Sequence, residues 1–123
     1  MNAQQMVEHM CDSVLLANGK IKKNLITPSD LLERYRTFML SDKPFKENTK
    51  NIELPDTPAA CRNNSIELAI DELKRELDTF FILFANQKDL VIMNPIFGNL
   101  NYEQWLHLLH KHAMHHLRQF QLV

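Results

Sequence analysis

The chain carries only two glycines and two cysteines in 123 residues. So little glycine argues against a β-rich fold with many tight turns. Cys11 and Cys61 are too few for a disulfide framework, and both are expected reduced and packed. An excess of charge of one sign is also missing, since 14 basic residues meet 15 acidic ones for a net −1. No basic cluster stands out, so phosphate neutralisation has no support and no nucleic-acid partner is expected. The longest apolar run, Phe80 to Ala85, is far too short to span a bilayer, so no membrane partner is expected either. Met1-Asn-Ala-Gln-Gln5 lacks the basic flank and apolar stretch of a secretory signal, which points to a cytoplasmic protein. Several local signatures of chemistry are absent too: HExxH, paired CxxC, GxSxG and a phosphate-cradling glycine loop.

What is present is a helical pattern. Apolar residues make up 45% of the chain, enough for one core in a single domain spanning residues 1–123. A first helix is expected over about residues 2–18, with Gly19 as the residue just past its end. A polar connection with Lys20, Lys22 and Lys23 follows. The second helix is expected over residues 28–40, with Thr27 as N-cap, Pro28 in the first turn and Asp30 completing a capping box. A long irregular stretch runs from Ser41 to about Asn63 and holds Pro44, Pro55 and Pro58. Its polar run, residues 46–50, reads as solvated, and loops this long often carry function.

The third helix has the clearest periodicity, over residues 64–87. Asn64 is its expected cap, with Glu67 three residues on. Ile66, Ile70, Leu73, Leu77, Phe80, Phe81 and Phe84 form its apolar stripe. Residues 94–98, Asn-Pro-Ile-Phe-Gly, read as a turn. A fourth helix is expected over residues 101–120, opened by an Asn101–Gln104 capping box. The fold class these elements predict is an all-α, four-helix bundle with almost no sheet.

The last helix holds five of the six histidines. At about 100° per residue, Trp105, Leu108, Leu109, His116, Gln119 and Phe120 all fall within roughly 80° of His112. His112 and His116 therefore lie on the stripe that a helix buries. His115 lies at its edge, and His107 and His110 point the other way. Two imidazoles at i and i+4 can converge on one divalent metal ion, provided they are neutral. The alternative is a pair of core histidines, each hydrogen-bonded to Gln119 or a backbone carbonyl. His9, on the first helix, is the one histidine elsewhere. It sits at the boundary of that helix's apolar arc, with Gln5, Met6, Ser13 and Leu16 as wheel neighbours. Glu8 and Asp12 flank it as candidate partners for a metal ligand.

Residues 95–105, Pro-Ile-Phe-Gly-Asn-Leu-Asn-Tyr-Glu-Gln-Trp, and the following Lys111-His-Ala-Met-His-His-Leu-Arg-Gln-Phe120 resemble a bacterial family of the DinB-like superfamily. These are metal-binding four-helix bundles. Met1-Asn-Ala-Gln-Gln-Met-Val-Glu-His9 is similar to the family's first histidine helix, and Lys43-Pro-Phe-Lys-Glu-Asn48 to its central loop. The resemblance implies a metal site of three histidines, His9, His112 and His116. Zinc or nickel is the expected ion. It also implies open coordination positions for a small-molecule substrate, since wider relatives include thiol-dependent transferases and isomerases. The chain departs from the pattern twice. Relatives often have a histidine where Asn94 stands, and they tend to carry a further segment before the first histidine helix. The second departure predicts an uncovered edge near Met6 and Met10, and hence a homodimer. Two classes of function remain: a metal-dependent enzyme, either a thiol-linked transferase or a hydrolase, and a metal-containing protein without turnover.

Overall fold

The computed structural model describes residues 1–45 and 59–123. Pro55, Pro58 and the polar run at 46–50 lie outside the described residues, as does part of the family-like loop at 43–48. Among the described residues four helices are present: α1 (Ala3–Ala17), α2 (Ser29–Leu40), α3 (Ile66–Asn86) and α4 (Tyr102–Gln119). Between α3 and α4 lies a two-stranded antiparallel hairpin, β1 (Ile92–Asn94) and β2 (Gly98–Leu100). The expected turn at 94–98 is this hairpin's connection. Strands of three residues are too short to show alternation in a sequence. Among the described residues no helix is long and apolar enough to cross a membrane.

Local chemistry explains the helix ends. Asn2 and Gln5 exchange side chain-to-backbone bonds of 2.8 Å each and open α1 as a capping box. At its other end Gly19 takes φ +72°. There Gly19 N–H donates to Leu16 and Lys20 N–H to Leu15, both at 3.0 Å, a Schellman closure of α1. Asn101 and Gln104 cap α4 as the sequence predicts, at 2.9 and 3.0 Å. The other two caps differ from expectation. Ser65 rather than Asn64 caps α3, accepting from Leu68 N–H. Thr27 does not cap α2, and Pro28 at that position offers no side-chain acceptor. The Thr27 hydroxyl is buried against the hairpin and donates to the Ile96 carbonyl at 2.6 Å, because a buried hydroxyl needs a partner where it lies.

The main core gathers Val14 and Ala17 of α1, Met39 of α2, Phe80 and Phe84 of α3, Phe97 and Leu100 of the hairpin, and Trp105 and Leu108 of α4. Trp105 is fully buried and satisfies its indole N–H on the Ile92 carbonyl at 3.1 Å. Asn94 is buried too, and its Oδ1 accepts from Ile96 and Phe97 N–H at 2.9 and 3.0 Å. That residue therefore shapes the turn. A smaller cluster of Met6, Val7 and Ala69, backed by Met10, Leu117 and Phe120, fills the α1–α3–α4 end. Met6 is only 3% exposed, so the uncovered edge expected there is covered within the chain. Ile70 and Phe81, expected on the buried stripe of α3, are 37% and 45% exposed instead. The seven-residue stripe is wider than the face that α1 and the core can cover.

Two polar ties fix the loops to this frame. Lys111 of α4 is buried, and its ammonium donates to the carbonyls of Phe38, Ser41 and Lys43. It also lies over the Phe38 ring, 4.8 Å from the centroid. A cation thus meets the negative end of α2, while burial pushes its pKa down. Glu8 of α1 is 4% exposed and accepts from Arg62 N–H at 2.8 Å, Asn63 N–H at 3.1 Å, and the Asn63 and Gln4 amides. Burial alone would raise its pKa, but these donors outweigh burial and hold it near 2 against an ordinary 4.5. The stability Glu8 supplies is thus present above pH 4.5 and lost as pH falls toward about 2. Replacing Glu8 by Ala strands two backbone donors. It is expected to cost about 2–3 kcal/mol in urea denaturation at pH 7.

Candidate metal centre

The seam between α1 and α4 brings together the three histidines singled out from the sequence. His9 and His112 approach with their Nε2 atoms 3.0 Å apart, and His116 Nε2 lies 2.9 Å from His112 Nε2. The ligating atoms of all three lie within 4.8 Å of one another. The rings meet edge to face, at interplanar angles of 70°, 89° and 85°. Edge-to-face rings let three lone pairs aim at one point. His116 is buried, and His9 and His112 are half-buried.

The nitrogens on the far side of the rings explain this aim. His112 Nδ1 lies 3.2 Å from the Ser13 hydroxyl of α1. His116 Nδ1 lies 2.9 Å from Gln119 Oε1, one turn further along α4. An amide oxygen only accepts, so His116 carries its proton on Nδ1 and leaves Nε2 as a lone pair. The Gln119 amide nitrogen lies 3.3 Å from His115 Nε2, which orients the amide. Such outer partners fix the tautomer and direction of metal-binding imidazoles.

Electrostatics keep the rings neutral. Burial pushes the His112 pKa well below 6.5, and the facing His9, His116 and His115 add to it. Burial lowers His116 to about 4; the bond to Gln119 opposes this and is outweighed. Burial, with His115 nearby, lowers His9 too. Neutral imidazoles are what a metal requires. One N–H of His112 serves one neighbouring nitrogen well, whereas a divalent ion serves three lone pairs together. Bonds of about 2.0–2.1 Å at tetrahedral angles set neighbouring nitrogens roughly 3.3 Å apart, close to the 3.0 and 2.9 Å that separate His9 and His116 from His112. The donor set therefore fits a divalent ion with positions left open.

The other candidates fall elsewhere. His107 is half-buried with Nε2 3.4 Å from the Ser41 carbonyl, and His110 is exposed; neither joins the cluster. Glu8 and Asp12, expected as partners of His9, turn to the segment before α3. Glu8 holds the 62–63 backbone, and Asp12 pairs with Arg62 at 2.9 Å. Cys11 is buried, its thiol pushed up to about 11 by burial and then by Glu72. Ser13 and Lys111 were not singled out from the sequence. Ser13 is one turn from His9 on α1, which was its available signal; a lysine beside histidines gave none. Next to the cluster, Pro44, Phe45, His115 and Arg118 line a cavity of about 160 Å³. The His115 ring in its wall lies 5.2 Å from the His116 ring.

Neutral burial of imidazoles has a cost in acid. The unfolded chain takes up protons below about pH 6.5, while folded His116 resists until about 4. Without metal, the His116 contribution to stability should fall progressively across that interval. Denaturant titrations between pH 7.5 and 4 measure this slope, and it should be shallower in His116→Gln. Comparison with family models, with curated proteins and with solved structures finds no match.

Proposed function

We propose that this chain is a DinB-like metal-binding helical protein in which His9, His112 and His116 hold one zinc or nickel ion. The observation that carries the reading is the convergence of three Nε2 atoms from helices at opposite ends of the chain. Imidazole suits both metals, whereas magnesium and calcium prefer oxygen donors. The motifs in the last helix, the first histidine helix and part of the central loop follow one another in the family's order, which supports the superfamily assignment. Three protein ligands leave room for a bound water or small molecule. The chemistry such an ion supplies is Lewis acidity toward a bound oxygen or sulfur. The enzyme reading, a thiol-linked transferase or hydrolase acting on a small-molecule substrate, rests on the family resemblance and on those open positions. A second reading, a metal-containing protein without turnover, draws on Glu8 and Asp12. Both carboxylates nearest His9 in the chain are engaged with Arg62 and Asn63.

Elemental analysis of purified protein is expected to give one zinc or nickel per chain. His112→Ala and His116→Ala should abolish stoichiometric binding, and His107→Ala and His110→Ala should leave it intact. Ser13→Ala should weaken affinity by roughly 10–100-fold in competition with a chelator, because His112 loses the group that orients it. Metal should leave as the pH drops below the imidazole range. If the His112 and His116 variants bind as well as the parent, the metal reading fails. Thiol transfer by metal-loaded protein separates the enzyme from the protein without turnover.

A further inference from the structure

The outer face of α3 has an ordered pattern. Ile70, Phe81 and Ile82 are 37%, 45% and 61% exposed, and Lys74 and Asp78 are exposed between them. At about 100° per residue these five side chains fall within roughly 120° of arc, so they form one face. The opposite face of α3 is spent on the core through Ala69, Phe80 and Phe84, and α3 packs along α1. Four residues of this face are symmetric about position 76, while Phe81 has exposed Asp71, in the same arc, as its counterpart. Ile70 and Ile82 lie six residues to either side of it, about 18 Å apart along the axis. Lys74 and Asp78 lie two residues to either side and carry opposite charges. Among the described residues neither is in an ion pair.

Reversal about a two-fold axis at position 76 maps this pattern onto its complement. Ile70 then meets Ile82 of the partner subunit, and Lys74 meets Asp78 of the partner subunit, twice over. Self-complementarity of one patch is the condition for an isologous dimer. We infer that the occupant of this face is a second copy of the chain, docked with the two α3 helices antiparallel. The inference stands apart from the metal reading, because no histidine of the cluster lies on α3. It also moves the dimer surface away from Met6, which is buried. Charged pairs at the centre fix register and orientation, and the isoleucines supply the apolar area.

Light scattering at high micromolar concentration should give twice the 14.5 kDa of one chain. Lys74→Asp alone and Asp78→Lys alone each set like charges across the axis twice, and each should be monomeric. Circular dichroism should show their helicity unchanged. Mixed in equal amounts, the two variants should recover a dimer, because opposite charges then face each other in both pairs. A charge pair within one helix cannot produce recovery on mixing. Ile82→Glu should be monomeric, and Met10→Glu should not change the association. A monomeric parent overturns the inference. So does a dimer that survives Ile82→Glu, or a mixture of the two charge variants that stays monomeric.

Discussion

Desolvation of imidazole is the constraint around which this molecule is arranged. Three rings leave bulk water at the α1–α4 seam, and burial makes their charged forms costly. Everything near them serves the neutral form. Ser13 and Gln119 lie against the outer nitrogens of His112 and His116, and the Gln119 oxygen leaves His116 Nε2 as a lone pair. No carboxylate salt bridge of His9, His112 or His116 is present among the described residues to draw a proton onto a ring. Glu8, one residue from His9, would raise its pKa if it faced it. Its engagement with the 62–63 backbone removes that influence and anchors the segment leading into α3.

The rest of the frame sets the position of α4 against its neighbours. Trp105 fills the core beneath the hairpin, about two turns before His112 on the same face of α4. Lys111 ties the helix to the carbonyls ending α2, immediately before His112 in the chain. Leu117 and Phe120 seat the last turn on Met6 and Val7. Rotation of α4 about its axis would break all three contacts. The direction of His112 and His116 is thus settled by packing on three sides, before any ligand is considered.

Much of this was legible in the sequence because helical periodicity repeats over many residues. The four helices, the Asn101–Gln104 cap, the Gly19 closure and the inward placement of His112 and His116 all follow from spacing and residue type. His9 was legible only as a boundary residue, and its approach to His112 needed the three-dimensional packing of α1 on α4. What escaped depended on tertiary partners. Thr27 has the chemistry of an N-cap, yet the hairpin claims its hydroxyl. Glu8 reads as a partner for His9 until residues 62–63 fold back onto it. Ile70 and Phe81 fit an apolar period, yet period alone does not say how wide a face the neighbouring helices cover.

His9 and His112 are 103 positions apart, and they touch. A bond through a shared ion would therefore close the segment from α1 to α4 into a ring. Loop closure costs entropy that grows only slowly with contour length, so a ring of this size is little harder to close than one half as long. An ion held only by the folded site would stabilise the fold by its binding free energy. Undocking of α1 from α4 dismantles the clasp, since one ligand sits on α1 and two on α4. Occupancy of the site then becomes a report on whether these two helices are in place.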